Sequence, residues 1–241
     1  MSTPVTGAGS VKPVESERPA DYKRIYVWQF PVRLFHWIAA VGIFLLCVTG
    51  FLIGHPLHAF YAAQAYQQYW FGWVRFIHFV SAFAVVAVSG VRVYWAFVGN
   101  RYSTWRNFLP LTRGQWLGIW ELLNVEVLQI RKTGRYHVGH NILAATSYFF
   151  LFLAFIFQTV TGFALYSSMS SLRVTHIFDW IVPLFGSDAN VRFWHHAFLW
   201  IFVLFIVIHV YLVFYDDYVE GGGEMSAMVS GWKFKRDDRE K

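Results

Sequence analysis

The sequence predicts an all-α membrane protein whose core is a four-transmembrane-helix bundle. Of the 241 residues, 56% are hydrophobic and only 14% are charged, against about 25% in soluble domains. Four apolar segments have the roughly 20 helical residues that a bilayer crossing requires. They lie near residues 34–53, 73–98, 142–166 and 193–215. Most of the protein surface must therefore face something other than water.

Lysine and arginine predict the topology. The segments 1–35, 99–141 and 216–241 contain five, six and five of them, whereas 54–75 and 166–192 contain three together. Basic residues concentrate in cytoplasmic loops. This bias predicts a multi-pass protein of the cytoplasmic (inner) membrane with both termini in the cytoplasm. Because the basic residues are interrupted by apolar segments, the net charge of +6 indicates membrane topology and not nucleic-acid binding.

The remaining segments are assigned by pattern. Residues 1–24 are polar and lack a secretory signal, so they are predicted to be a flexible cytoplasmic leader. Residues 25–215 form the membrane domain, and 216–241 a cytoplasmic tail. Apolar residues recur at helical spacing over 112–131, which predicts an amphipathic helix on the cytoplasmic surface. The alternative is that this helix packs against a partner subunit.

Four of the ten histidines lie at defined depths inside the spans: His36, His78, His195 and His209. Intramembrane ionisable residues are costly and usually functional. The topology places His78 and His195 near the outer face. His209 follows His195 by 14 residues, or about 21 Å, which brings it level with His36 on the cytoplasmic side. The helical rotation puts His195 on the same face as His209 and turns His196 away, so His196 is left out of the set.

Two histidine pairs on facing helices predict two bis-histidine haem sites, His78–His195 outside and His36–His209 inside. Zinc would require three or four close ligands. The single cysteine, Cys47, excludes an internal disulfide, an iron–sulfur cluster bound by this chain alone and covalent haem attachment. No nucleophile–base pair and no nucleotide-binding motif is present. The competing function is a transporter or proton channel that uses the intramembrane histidines.

Two internal repeats surround these histidines. The pattern V-R-x-x-H occurs at 32–36, 74–78 and 191–195, and it places Arg33, Arg75 and Arg192 one helical turn before a histidine. Arginine suits the carboxylates of haem propionates. The run V-T-G-F occurs at 48–51 and 160–163, so Gly50 and Gly162 are predicted to let a flat macrocycle approach. Packing of helices through small residues explains the second repeat equally well.

From about Tyr26 to Trp232 the sequence resembles the b-type cytochrome subunit of membrane-bound nickel–iron uptake hydrogenases. The resemblance is carried by the runs 31–37 (PVRLFHW), 48–51 (VTGF), 75–79 (RFIHF), 94–103 (YWAFVGNRYS), 139–141 (GHN), 194–195 (WH) and 228–231 (MVSG). The related gamma subunit of membrane formate dehydrogenase shares the four-helix, two-haem plan and is the alternative.

The resemblance implies two haem b groups, a nickel–iron large subunit and an iron–sulfur small subunit on the outer face, and quinone as electron acceptor. The chain itself would have no hydrogen-activating site. The four histidines match the ligand positions of the family, which does not require arginine at 192, so Arg33 and Arg75 remain the predicted propionate partners. Quinone is expected near the inner haem. His140 and Asn141, just before the third span, are the candidate quinone residues, with capping of the third helix as the alternative for Asn141.

Overall fold

The computed structural model describes residues 22–56, 69–105, 142–220 and 223–236. Four long helices dominate it: α1 (Phe30–Gly54), α2 (Trp70–Val98), α3 (Ile142–Ser167) and α5 (Asp188–Glu220). A 3₁₀ helix (Arg173–Phe178) and the short helix α4 (Ile181–Phe185) connect α3 to α5. The short helix α6 (Glu224–Ser230) and two strands, β1 (Tyr22–Tyr26) and β2 (Trp232–Arg236), complete the described part.

The prediction of an all-α membrane protein with four spans is confirmed. All four long helices are long and apolar enough to cross a membrane. Each begins at or before its predicted span, and α5 extends to Glu220, beyond the predicted end at 215. Pro31 stands in the first turn of α1, where its missing N–H costs nothing. The predicted amphipathic helix at 112–131 lies outside the described residues.

The four helices pack in two antiparallel pairs, α1 with α2 and α3 with α5, and α1 also contacts α5. The surface that the bundle presents to its surroundings is apolar: Phe44, Trp73 and Leu204 are 58%, 62% and 61% exposed. A soluble monomer rarely exposes so continuous an apolar surface. This surface fits the hydrocarbon core of a bilayer.

A two-stranded antiparallel sheet joins the start of the membrane domain to its end. β1 pairs with β2 in a register that runs from Tyr22↔Arg236 to Tyr26↔Trp232. Neither strand is apparent in the sequence pattern. The segment assigned as a leader through residue 24 and the tail after 215 therefore each contain ordered structure that was not predicted. Because β1 precedes α1 and β2 follows α6, the two ends of the described chain lie on the same side of the bundle.

Side-chain hydrogen bonds fasten this end of the bundle to the end of α2. The Gln29 carbonyl accepts from the Trp95 indole (3.0 Å) and from the Asn100 main chain (2.9 Å). The Asn100 amide donates to the Val27 carbonyl (2.9 Å), and its oxygen accepts from the Ser103 hydroxyl (2.9 Å). The run 94–103, which carries part of the family resemblance, therefore acts here as a structural clamp.

α6 docks on the first turns of α1. The Trp37 indole donates to the Met228 carbonyl (3.0 Å), and the Arg33 guanidinium donates to the carbonyl of Val229. These carbonyls belong to the last turn of α6, which carries the negative end of the helix dipole. Gly231 ends the helix in the left-handed conformation (φ 88°), which glycine adopts without strain.

Candidate haem site

The half of the bundle that lies opposite the β1–β2 sheet, which the distribution of lysine and arginine predicts to be the outer half, encloses a cavity of about 1110 Å³ between α1, α2, α3 and α5. Small-molecule and cofactor sites have volumes of about 300–1,000 Å³, so this cavity admits a large cofactor. Its walls are mostly apolar. Its lining includes the predicted or polar residues Gly50, Arg75, His78, Gln158, Gly162, Arg192, His195 and His196. The cavity thus brings together the predicted outer pair, both predicted glycines and two of the three repeat arginines.

The two outer histidines make the same kind of contact, each with a threonine of a neighbouring helix. The Nδ1 atom of His78, on α2, lies 2.9 Å from the Thr49 hydroxyl on α1. The Nδ1 atom of His195, on α5, lies 2.9 Å from the Thr161 hydroxyl on α3. Because Nδ1 is engaged on each ring, Nε2 is the nitrogen left for a ligand.

The glycine that follows each threonine provides space for the imidazole of the facing helix. A Cβ atom at Gly162 would lie 3.1 Å from Cε1 of His195. A Cβ atom at Gly50 would lie 3.4 Å from Cε1 of His78 and 3.3 Å from the Leu199 side chain. The glycines therefore border the cavity. The nearest neighbour of an added Cβ would be the His195 ring at Gly162 and the Leu199 side chain at Gly50, with the His78 ring next.

Two arginines line the outer cavity, and the contacts that the structure gives them are weak. Arg75 donates to the Met169 sulfur (2.7 Å), which is a weak acceptor. Arg192 forms an exposed ion pair with Asp188 (2.9 Å), one turn earlier on α5. Both guanidinium groups could turn to an anionic ligand at little cost in free energy, because a sulfur is a weak acceptor and an exposed ion pair stabilises a protein weakly.

The structure also brings together His36 and His209. Their ring centroids are 6.3 Å apart, with 56° between the ring planes. Two imidazoles bound on opposite sides of one metal ion have centroids about 6 Å apart, since each metal–nitrogen bond is about 2 Å and the ring centre lies about 1 Å beyond. The Nδ1 atom of His36 is buried without a hydrogen-bond partner among the described residues.

The remaining residues considered in the sequence make other contacts or lie outside the described part of the chain. Arg33 is engaged with the end of α6 and does not line the outer cavity. His140 and Asn141 lie outside the described residues. His196 packs at the end of α1, with its ring centroid 5.2 Å from that of His55. The threonine contact of the outer site belongs to His195.

Sequence reasoning missed a buried arginine at the inner level. Arg92, on α2, is only 6% exposed, and its guanidinium lies 5.7 Å from the centre of the Tyr148 ring on α3. Arg92 follows His78 by 14 residues, about 21 Å along the helix, and this brings it level with His36 on the antiparallel α1. Its position inside an apolar span was the signal that could have identified it.

Sequence reasoning also missed the two threonines, although both stand in the V-T-G-F repeat. Thr49 and Thr161 are 5% and 1% exposed. A buried hydroxyl inside a span needs a partner, and its recurrence beside a repeated glycine was the available signal.

These features fit a haem. The site offers paired imidazole nitrogens from facing helices, an apolar cavity and cationic groups at its outer side. Gln158 Oε1 and His196 Nε2, both on residues that line the cavity, are buried and have no hydrogen-bond partner within the described ranges. In the part of the chain that the structure describes, no three His, Cys, Asp or Glu side chains converge as a metal site. Such a donor set suits haem and not zinc.

A four-helix membrane bundle with imidazoles paired across facing helices defines a class, the membrane-bound b-type cytochromes. Comparison with known families agrees: residues 27–231 match the family described as prokaryotic cytochrome b561. The chain belongs to this family. Its members are b-type cytochromes, so haem b is its cofactor, and it is a multi-pass membrane protein.

Curated relatives give a more specific association. The chain is 38% identical over 229 residues to a "probable Ni/Fe-hydrogenase B-type cytochrome subunit" of Azotobacter vinelandii, covering 92% of this chain and 94% of the relative. A protein of the same name from Cupriavidus necator is 37% identical, covering 89% of this chain and 89% of the relative. The "probable Ni/Fe-hydrogenase 1 B-type cytochrome subunit" of Escherichia coli K12 is 34% identical, covering 86% of this chain and 90% of the relative. The chain is therefore a hydrogenase-associated b-type cytochrome subunit, and these names do not favour the formate dehydrogenase alternative.

Proposed function

We propose that this chain is the membrane-anchoring dihaem cytochrome b that carries electrons from a periplasmic nickel–iron hydrogenase across the inner membrane to quinone. The observation that carries the proposal is the presence of two histidine pairs at two depths of one bundle. His78 and His195 line the outer cavity, and His36 and His209 face each other about 20 Å along the helices from it. A single cofactor would need only one pair.

The residues of this chain have distinct roles in the proposal. His78 and His195 hold the outer haem through Nε2, and His36 and His209 hold the inner one. Arg75 neutralises propionate charge at the outer site. Arg33 is the predicted counterpart at the inner site, where its contact with the end of α6 keeps it close to the membrane surface. The haem groups, when bound, supply reversible one-electron chemistry.

The orientation of the bundle follows from the basic residues. The sheet joins the two ends of the described chain on the side that carries the basic segments, which are cytoplasmic by the distribution of lysine and arginine. The cavity lies at the opposite, periplasmic end. There it faces the side on which the large and iron–sulfur subunits of the hydrogenase dock. Lipid covers the apolar outer surface of the bundle.

Quinone reacts at the cytoplasmic end in this proposal, with His140 and Asn141 as hydrogen-bond donors to its carbonyl oxygens. Protons would then be taken from the cytoplasm while hydrogen oxidation releases them outside. Each elementary charge moved across the membrane stores about 2.3 kcal/mol per 100 mV, which is the physical advantage of the spanning arrangement. His140→Ala should retain both haems and their reduction by hydrogen but lose hydrogen-dependent quinone reduction. Unchanged quinone reduction would remove His140 from the site.

The decisive experiment is purification of the tagged chain from its native membrane, followed by haem and metal analysis. We expect two haem b per chain, co-purifying nickel and iron, and haem reduction on adding hydrogen. One haem per chain would contradict the dihaem proposal. Lack of nickel would contradict the hydrogenase partner, and lack of reduced-minus-oxidised haem bands would support a transporter.

A further inference from the structure

We infer that Thr49 and Thr161 are positioning residues that fix the tautomer and the ring orientation of the two outer haem ligands. The inference deepens the proposed function and depends on its outer haem site. It concerns the residue that precedes the glycine in each copy of the V-T-G-F repeat.

A threonine hydroxyl has one hydrogen to donate and two lone pairs to accept with. Each of these hydroxyls lies within hydrogen-bond distance of the main-chain carbonyl one turn earlier on its own helix. Thr49 Oγ1 is 2.6 Å from the Leu45 carbonyl oxygen, and Thr161 Oγ1 is 2.7 Å from that of Phe157. A carbonyl oxygen can only accept, so the single hydrogen of each hydroxyl is committed to it.

The consequence falls on the histidines. A hydroxyl whose hydrogen is committed can only accept from the imidazole nitrogen 2.9 Å away. Nδ1 of His78 and Nδ1 of His195 must therefore carry the proton. A neutral imidazole has one N–H and one lone pair, so the lone pair resides on Nε2. Nε2 is then the nitrogen able to bind iron, and both rings are preset in the ligating tautomer.

Threonine is well suited to this task. Its branched Cβ restricts χ1, and the bond to the preceding turn restricts it further, so the acceptor oxygen has little freedom. Both threonines are buried, which keeps water from competing for the histidine N–H. The following glycine leaves room for the same ring, because an added Cβ atom would lie 3.4 Å from Cε1 of His78 at Gly50 and 3.1 Å from Cε1 of His195 at Gly162. In each Thr-Gly dipeptide the threonine thus supplies a hydrogen-bond acceptor for the histidine N–H, and the glycine leaves space for the histidine ring.

The arrangement occurs twice, once in each helix pair. In α1–α2 the dipeptide precedes its histidine in the chain by one connection, and in α3–α5 it does so again. A polar contact that recurs in both halves, with the same atoms and the same distance, is unlike ordinary helix packing. Nothing equivalent supports His36, whose Nδ1 has no partner among the described residues.

Donation from Nδ1 to an oxygen raises the basicity of an iron ligand, and loss of such partners typically weakens metal binding about 10–100-fold. A more basic imidazole favours ferric iron. Removing the acceptor should therefore raise the midpoint potential of the outer haem and weaken its retention. The potential of the inner haem should not change.

The experiment uses the hydrogenase complex purified with the full chain. Thr49→Val and Thr161→Val remove the hydroxyl with little change in shape, and Thr49→Ser and Thr161→Ser restore it. Thr175→Val is the matched control, because Thr175 is buried and bonds to the Leu172 carbonyl (2.7 Å) outside the spans. The measurements are haem per chain, the low-spin electron paramagnetic resonance signal of each haem and the two midpoint potentials.

The wild-type chain and His78→Ala first establish the outer site: loss of one haem in His78→Ala is required, and its retention would refute the proposed function and not the threonine role. With that site established, both Val variants should show an altered outer-haem signal with raised potential, or loss of that haem alone. Both Ser variants and Thr175→Val should match the wild type. Val variants that match the wild type, or Ser variants that fail as Val does, would overturn the inference.

Discussion

The outer and inner histidine pairs are held by different kinds of contact. Each outer histidine is hydrogen-bonded through Nδ1 to a threonine of the facing helix. At the inner pair, His209 stacks on Phe205, with ring centroids 5.3 Å apart and 9° between the planes, and His36 meets the edge of Trp37 at 5.2 Å. The outer rings are oriented by directional bonds and the inner rings by aromatic packing. Substitution of a hydrogen-bonding neighbour should therefore affect the outer pair, and substitution of an aromatic neighbour should affect the inner pair.

The largest effect should come from removing a ligand. His78→Ala or His195→Ala should abolish the outer haem alone, and His36→Ala or His209→Ala the inner haem alone, because each pair has its own depth. Haem per chain and redox titration of the remaining band measure the result. His196→Ala is the matched control and should retain both haems. If His196→Ala lost a haem while His195→Ala kept two, the ligand would have been assigned to the wrong neighbour.

A smaller effect should separate the two glycines of the outer site. Gly162→Ala puts a Cβ 3.1 Å from the His195 ring, which must give way, whereas at Gly50 the nearest contacts are 3.3 and 3.4 Å. We expect weaker outer-haem retention in Gly162→Ala than in Gly50→Ala, measured as haem left after detergent washing. Gly90→Ala, whose Cβ would meet nothing within 4 Å, should match the wild type. Equal loss at all three positions would indicate a general effect on helix packing.

The inner pair should respond to its aromatic neighbour. Phe205→Leu removes the ring stacked on His209, a contact of about 0.5–1.5 kcal/mol, or up to roughly tenfold in haem affinity. The inner-haem absorption band and midpoint potential should shift while those of the outer haem stay fixed. Phe44→Leu, at a residue 58% exposed on the outer surface, serves as control. A shift in the outer haem instead would reverse the assignment of depths.

The smallest effect concerns the loop beside the outer site. The Ser167 hydroxyl, and then His176, hold the pKa of Asp179 below its usual value. The stabilisation is therefore fully present above the usual carboxylate pKa and is lost as the pH falls through the lowered folded value. Asp179→Asn should lower the melting temperature slightly at pH 5, because exposed pairs stabilise weakly, and should have no effect once the pH has fallen below the lowered folded pKa of Asp179. A difference between variant and wild type that persisted at that lower pH would point to another group.

The sequence was sufficient to predict properties that depend on a single helix, namely its span and the depth of each residue along it. Hydropathy predicted the four spans because each must match the bilayer thickness. The fixed rise per residue predicted that His36 and His209 share a depth, and the structure brings their rings together. Contacts between helices were harder to predict. No spacing relates Thr49 to His78 or Arg92 to Tyr148, because such pairs arise only when two helices pack with a particular rotation.

The sheet was missed for a related reason. Its strands are five residues each, at opposite ends of the membrane domain, and they include basic residues that the sequence analysis assigned to topology. A short strand is stabilised by hydrogen bonds to its partner strand, and here the partner is more than 200 residues away in the sequence. The ordered structure in the predicted leader and tail could be recognised only in three dimensions.

The β1–β2 sheet has a consequence for biogenesis. β1 is synthesised before any of the four long helices and β2 after all of them. The sheet can form only when the intervening chain has crossed the bilayer an even number of times, because otherwise the two strands would emerge on opposite sides. A chain that misses a single insertion would therefore place β1 and β2 on opposite sides of the membrane, where they could not pair. The paired sheet is compatible only with an even number of crossings, in agreement with the four long helices.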